Sequence, residues 1–233
     1  MTNLRKVLIV ATVLACALPL AASAAVSPTA LLGSIFAAAR SERSVHYVVV
    51  ARPGVARVSL VGDAAVSQGI QRITYGRGSK TGHVTVIVSA DTAYVRGDAF
   101  TLVNYMGFKA PAAATYANAW VLIPRSDPDY TTVAGAVRLQ STLDQLKLSG
   151  PVATVLQTTV AGQQVLGVRG KGPFPGGTAV ATLYARASGS PLPVQEVIGR
   201  GSRQATVTFS KWNQPVHLAI PANTVQIATT GLE

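Results

Sequence analysis

The sequence contains a single cysteine, Cys16, among its 233 residues. One thiol cannot close an intramolecular disulfide, and thiolate metal sites need several cysteines. Cys16 also lies inside the apolar segment that begins the chain. We therefore expect neither a disulfide nor a cysteine-bound metal in the folded protein.

The signatures of common catalytic sites are also missing. No Gly-x-Ser-x-Gly elbow and no Gly-x-x-x-x-Gly-Lys-Ser/Thr phosphate loop occurs. His46, His83 and His217 lie in strand-like patterns without a second histidine or carboxylate at ligand spacing, so hydrogen-bonded or solvent-facing roles are expected. Strand-end and helix-cap roles explain Asp91 and Asp98 more simply than acid-base chemistry. The sequence predicts a protein that is not an enzyme and uses no cofactor or metal.

Acidic residues are few: nine Asp and Glu stand against twenty Lys and Arg, a net charge of +11. This balance favours anionic surfaces such as lipid headgroups. The basic residues are dispersed along the chain, and no run of them resembles a nucleic-acid-binding arm. We expect these basic side chains to be solvated surface charges; the alternative is that they make peripheral contact with an anionic membrane surface. No nucleic-acid partner is expected.

Only the N terminus carries a long apolar run. Arg5 and Lys6 precede it, and Ala22-Ser23-Ala24 matches the small-residue cleavage pattern of a secretory signal peptide. The pattern predicts that residues 1–24 are a signal peptide and that residues 25–233 form a single exported domain. The expected location of this domain is the periplasm or cell envelope. We expect it to be a monomer.

Two alternatives stay open for this terminus. The apolar run could persist as a membrane anchor, although it is short for a span. Val13-Leu14-Ala15-Cys16 resembles a bacterial lipobox, in which Cys16 would become the lipidated first residue. Leu14 is bulkier than the residue usual at its position, and the residues after Cys16 stay apolar, so cleavage near Ala24 is the expectation.

Beyond the signal, apolar periodicity predicts strands, then helices, then strands. Ser27-Pro28 is typical of a helix start, and the helical pattern continues to about Arg43. A run of strands and glycine-rich turns follows; the predicted strands are 45–51, 57–66, 70–77, 83–90 and 91–98. The order indicates an α+β fold in which one large antiparallel sheet carries helices on one face.

From Asp98 to Leu148 the pattern is mainly helical or irregular. An Ala-rich connection is expected over 109–119 and a strand over 120–124, and the helical stretch that begins at Asp127-Pro128 should bend near 139–141. Strands then return at 153–160 and 163–170.

A closing meander is predicted over 178–221, with turns at Ser-Gly-Ser-Pro, Gly-Arg-Gly-Ser and Asn-Gln-Pro. Within it Ala205, Val207 and Phe209 share one face of a strand, while Thr206 and Thr208 share the other. The first face should be covered and the second wet.

Several segments together resemble the LolA-like superfamily, nearest to the LppX and LprG type of cell-envelope lipid-binding proteins. They are a TAYVRGD strand leading into a helix, YANAWVLIP, LQSTLDQL, LYARASGSPLPVQEV and TVTFSKWNQPVHLAIP. The resemblance implies a strongly curved antiparallel β half-barrel, with helices covering its concave face. It also implies that acyl chains bind between sheet and helices, so the implied ligand is a lipid or acylated partner.

The candidate site is the apolar surface of the central helical region. Its residues are Phe100, Leu102, Val103, Tyr105, Met106, Trp120, Leu139, Leu143 and Leu146. Apolar stripes at helical spacing are usually core, so these side chains could fill the concave face instead of lining a cavity. Two functions stay open: a carrier of a lipid or lipid-modified partner, and a non-carrying interaction or sensor domain with a filled core.

Overall fold

The computed structural model describes residues 26–135 and 137–226. Within these ranges, none of the helices has the length and apolar character needed to cross a bilayer. The predicted signal peptide and Cys16 lie outside the described residues, so cleavage and lipidation stay predictions.

The described residues form one sheet of twelve strands and five helices. The strands are β1 (Ser44–Pro53), β2 (Ala56–Ala65), β3 (Gln68–Arg77), β4 (Lys80–Ser89), β5 (Thr92–Gly97), β6 (Val121–Pro124), β7 (Ser149–Val160), β8 (Gln163–Phe174), β9 (Gly177–Arg186), β10 (Pro193–Arg200), β11 (Arg203–Ser210) and β12 (Val225–Gln226). The helices are α1 (Pro28–Arg40), α2 (Ala99–Asn104), α3 (Ala110–Tyr116), α4 (Tyr130–Gly135) and α5 (Leu139–Asp144).

The strand order is β12-β6-β5-β4-β3-β2-β1-β11-β10-β9-β8-β7. Strand β1 pairs with both β2 and β11, and so joins an N-terminal meander to a C-terminal one. Among the described strands, β12 and β6 are the parallel pair. The order does not return to its start, so the sheet is open, with β12 and β7 at its two edges. The predicted class, a curved antiparallel half-barrel with helices, is confirmed.

The helices cover the concave face of this sheet. Helix α1 begins at Pro28 after Ser27, whose hydroxyl accepts from Ala30 N at 3.2 Å, and it buries Ile35, Phe36 and Ala39. Its neighbours are α5 and strands β7 and β8. These side chains join a continuous apolar core with inward-facing residues of β1 to β6 and with Val168, Leu183 and Phe209 of the second meander.

Three local predictions need correction. The Ala-rich connection holds helix α3, because Pro111 falls in its first turn, where a missing N–H costs nothing. The break in the helical stretch comes earlier than 139–141, since α4 ends at Gly135 and α5 starts at Leu139. No strand follows Ser210 until Val225, because Lys211 and Asn213 adopt φ of 50° and 64° and turn the chain out of the sheet.

The edge strand β7 is irregular. Its pairing with β8 shifts register between Ser149 and Ala153 and again between Val155 and Thr158. Most of its side chains are exposed, Leu156 by 89%. The two shifts break the ladder into short segments of regular pairing.

Candidate ligand-binding site

A cavity of about 610 Å³ lies between the concave face of the sheet and the helices. It is lined by Tyr47, Val49, Ala51, Pro53, Ala56, Val58, Leu60, Gln71, Tyr75, Tyr105, Thr142, Gln145, Leu146, Pro173, Phe174, Pro175, Gly177, Glu196, Ile198, Ala205, Val207 and Phe209. Most of these side chains are apolar, and none of them carries a basic group.

The floor of the cavity comes from alternate residues of adjacent strands. Val49 on β1 pairs in register with Val207 on β11 and with Leu60 on β2, so the three side chains lie in one row on the same face. The next row toward the turns contains Ala51 opposite Ala205. Two methyl groups fill little of the space above them, which leaves room where larger side chains would close it.

The helical region contributes fewer lining residues than the sheet. Thr142 lies on α5, and Gln145 and Leu146 follow directly after it. Tyr105 follows α2, and its ring contacts the ring of Tyr75 on β3, with centroids 5.6 Å apart. The helices therefore close one side of the cavity and the sheet forms its floor.

The other end of the cavity reaches the turns of the sheet. Strands β1, β3, β8 and β10 run in the same direction, so their following turns, 53–56, 77–80, 174–177 and 200–203, lie at one end of the molecule, here called the hairpin end. The cavity lining here includes Pro53, Ala56, Pro173, Phe174, Pro175 and Gly177. The Arg203 guanidinium lies 5.8 Å from the Phe174 ring centroid.

Tyr47 and Gln71 form a polar cluster at the inner end of the cavity. The Tyr47 hydroxyl accepts a hydrogen bond from Gln71 Nε2 at 2.5 Å. Burial raises the pKa of Tyr47 to about 12, and hydrogen bonds with Gln71 and Thr142 work in the opposite direction. The phenol is therefore neutral at any physiological pH, and the cluster satisfies its own hydrogen bonds.

Glu196 is the carboxyl group in the lining. Its side chain is 1% exposed, and its Oε1 atom has no hydrogen-bond partner. Burial raises the pKa of Glu196 to about 8. Because a buried carboxylate without a partner is costly, the group is mostly protonated at neutral pH.

The structure brings two of the nine sequence-predicted residues to the cavity, Tyr105 and Leu146. Leu102, Leu139 and Leu143 lie in the core with exposures of 3% or less. Val103 and Met106 pack against the core, Phe100 packs on Tyr75 with centroids 5.7 Å apart, and Trp120 is half-buried beside β6. Whether any of the nine contacts a ligand stays a prediction.

Sequence reasoning missed the sheet residues of the lining. One signal was available, because Val194, Glu196 and Ile198 alternate with Gln195 and Val197, so a charged residue shares the apolar face of β10. Two of the three histidines make hydrogen bonds, as expected: His46 Nδ1 lies 2.7 Å from Asp63 Oδ1 and His83 Nδ1 lies 3.1 Å from Thr74 Oγ1. Across 26–135 and 137–226, no three His, Cys, Asp or Glu side chains cluster as a metal site.

The fold defines a class of protein: an open, curved antiparallel sheet with helices over its concave face. Solved structures of this class include LprF from Mycobacterium bovis, with a TM-score of 0.54 and 17% identity over 84% of this chain and 97% of that one. They also include the lipoprotein LppX of Mycobacterium tuberculosis, with a TM-score of 0.52 and 18% identity over 82% of this chain and 98% of that one. No family model matches the sequence, and no curated protein sequence matches it. At identities this low, the structural similarity establishes the fold alone, and the function has to be argued from the site.

Proposed function

We propose that this protein binds a lipid or a lipid-modified partner by an acyl chain and carries or presents it in the cell envelope, without catalysis. The observation behind the proposal is the cavity of about 610 Å³ with its mainly apolar lining. Pockets for small ligands typically measure about 300 to 1,000 Å³ and are mostly apolar with a few polar groups. An acyl chain suits such a lining because burial of each methylene contributes about 0.8 kcal/mol.

The fold and the sequence support the same location. LppX, which shares the fold, is a lipoprotein. The N-terminal residues of this chain carry the pattern of an export signal. Together the two observations support an extracytoplasmic site of action.

Binding of an uncharged acyl probe tests the proposal. An environment-sensitive fluorescent fatty ester should bind at one saturable site, and fatty acid methyl esters should displace it more strongly as the chain lengthens, until the cavity is filled. A filled interaction domain would show no such series. Absence of saturable binding together with absence of co-purified lipid, measured by solvent extraction and mass spectrometry, would overturn the carrier function.

Two variants on one strand sharpen the test. Val207 faces the cavity and Thr206, its neighbour, faces the opposite side of the sheet. Val207→Trp should weaken probe binding at least tenfold because the indole occupies the ligand's space, whereas Thr206→Trp should leave binding unchanged. Thermal melts of both variants separate loss of the cavity from loss of the fold.

We also propose that the hairpin end contacts anionic membrane. Exposed basic side chains lie in the turns of this end or close to them; they are Arg52, Arg57, Arg77, Lys80, Arg200 and Arg203. Val55, at the tip of the β1–β2 turn, is 77% exposed. Basic groups beside an exposed apolar tip suit an anionic lipid surface, to which each contributes about 1 kcal/mol.

Vesicle sedimentation tests this contact. Vesicles containing phosphatidylglycerol should bind the protein at low salt, and pure phosphatidylcholine vesicles should not. Arg52→Ser with Arg200→Ser should weaken binding. The control pair Arg43→Ser with Lys211→Ser removes the same charge from the opposite end and should change it little. Equal effects of the two pairs would mean that net charge, and not the hairpin end, drives the contact.

A further inference from the structure

Glu196 places a carboxyl group inside an otherwise apolar row. It lies on β10, opposite Leu183 on β9 and Val207 on β11, and its side chain is 1% exposed. The residues before and after it on the same face are Val194 and Ile198. A leucine would fill this position at no electrostatic cost, so the carboxyl needs a reason other than packing.

The protein itself does not supply a partner for this group. Oε1 accepts and donates no hydrogen bond, although it is buried. A methyl group placed on Gly172 of β8 would lie 3.5 Å from Oε1. The residue on that side is therefore a glycine, which has no side chain to offer a hydrogen bond. None of the residues that line the cavity is Lys, Arg or His. A buried polar atom in this state favours any ligand group that completes its hydrogen bonds.

We propose that Glu196 anchors a hydroxyl group of the ligand, so that the cavity selects an uncharged, hydroxylated acyl lipid over a fatty acid anion. This inference rests on the proposed function. A hydroxyl group can donate a hydrogen bond to a carboxyl oxygen or accept one from the O–H of a protonated carboxyl. A fatty acid carboxylate would bring a negative charge into the apolar cavity beside Glu196, with no basic side chain among the lining residues to balance it.

The protonation state of Glu196 agrees with this partner. Its raised pKa, caused by burial, keeps a proton on the group near neutral pH. From Glu196 the apolar row of Val207, Val49 and Leu60 continues across the floor, where an acyl chain would lie. The second polar cluster, Tyr47 with Gln71, is already hydrogen-bonded and makes no comparable demand.

A matched set of ligands tests the anchor. A long-chain 1-alkanol, the alkyl methyl ether of equal chain length and the corresponding fatty acid would each displace the fluorescent ester from the wild-type protein at pH 7. Without an anchor the ether should bind at least as tightly as the alcohol, because it loses fewer hydrogen bonds with water. With the anchor, the alcohol should bind roughly tenfold more tightly than the ether, the size of one good buried hydrogen bond. The fatty acid should bind more weakly than the alcohol.

Variants at the position assign the preference to the side chain. Glu196→Met keeps the length of the side chain and should abolish the preference for the alcohol while affinity for the ether is retained. Glu196→Gln keeps a donor and an acceptor and should retain part of the preference. Circular dichroism checks the fold, and the wild-type ligand series decides the question by itself if a variant does not fold.

The outcomes separate this inference from the proposed function. If the alcohol and the ether bind equally to the wild-type protein, or if Glu196→Met keeps the preference, the anchor is wrong while acyl binding stands. If the fluorescent ester binds the wild-type protein but neither the alcohol nor the ether displaces it, the anchor is wrong. If the ester itself shows no saturable binding, acyl binding and the anchor are both wrong.

Discussion

The ring of Tyr47 lies directly over the backbone of Gly62, its register partner on β2. A methyl group at position 62 would lie 2.5 Å from the ring carbon Cζ. The missing side chain lets the ring cross β2, so its hydroxyl reaches Gln71 on β3. One glycine therefore shapes the inner end of the cavity.

Gly62→Ala should lower the free energy of unfolding by about 1 to 3 kcal/mol, because the added methyl forces the Tyr47 ring off its position. The control is Gly33→Ala in α1, where a methyl group would meet nothing within 4 Å. It should be neutral or stabilise by up to about 1 kcal/mol through helix propensity. Urea denaturation measures both, and equal effects would contradict the packing of Tyr47 on Gly62.

Phe209 and Thr208 lie on opposite faces of β11. Phe209 is 4% exposed, lines the cavity and packs against Trp212 with ring centroids 6.2 Å apart. Phe209→Ala should cost roughly 3 kcal/mol or more, as large core truncations do, and Thr208→Ala should cost less than about 1. Similar small losses in a denaturant melt would mean that the inner face of β11 is not packed.

The buried carboxyl of Glu196 should make stability depend on pH. Its pKa rises on folding from 4.5 to about 8, so between these values the folded state keeps a proton that the unfolded state releases. The contribution of Glu196 to stability is therefore fully present below about pH 4.5, falls as pH rises through this window and levels off above pH 8. This contribution should fall by on the order of 3 to 5 kcal/mol across the window.

Glu196→Gln provides the control for that titration. It cannot ionise, so the part of the slope between pH 5 and 8 due to Glu196 should disappear, while other groups titrate as before. Melts of both proteins at several pH values make the comparison. Parallel stability curves for the two proteins would show that Glu196 does not stay protonated on folding.

Asp98 caps helix α2, as the sequence predicted. Burial alone would raise the pKa of Asp98, but hydrogen bonds from the backbone N–H groups of His83 and Thr101 and from the Thr101 hydroxyl lower it below its usual value. Asp98→Ala should cost about 1 kcal/mol at pH 7. The contribution of the ionised group is present above its unfolded pKa and is lost as pH falls through the lower, folded one. Asp98→Asn should keep most of the cap without this acid dependence, which acid titration of the melts would detect.

The N terminus gives a prediction that needs no variant. Cleavage after Ala24 should yield an exported protein that begins near Ala25 without acylation. Intact-mass analysis of the protein isolated from the cell envelope of its native organism decides between cleavage after Ala24 and lipidation at Cys16. A species that starts at Cys16 with attached fatty acid would contradict it.

Much of the fold followed from local patterns. The alternation of Ala205, Val207 and Phe209 predicted the covered face of β11, and all three side chains line the cavity. The chain after Ser210 was harder, because the positive φ values of Lys211 and Asn213 have no signature in apolar periodicity.

The cavity could not be placed in the same way. Apolar helical spacing drew attention to Leu139 and Leu143, which the structure buries in the core. The space depends on Ala51 and Ala205, far apart in sequence and opposite each other in the sheet. Only the three-dimensional register shows that two small side chains meet there, so local sequence does not show where the gap lies.

The register shifts of β7 have a consequence for how copies of this protein meet. A sheet that stays open leaves a row of free N–H and C=O groups along its last strand, and such a row can template a strand from another molecule. In β7 the interruptions near Ser149 and Val155 put that row out of line, and Pro151 offers no N–H at all. The irregular edge therefore protects an unclosed sheet from growing into an aggregate.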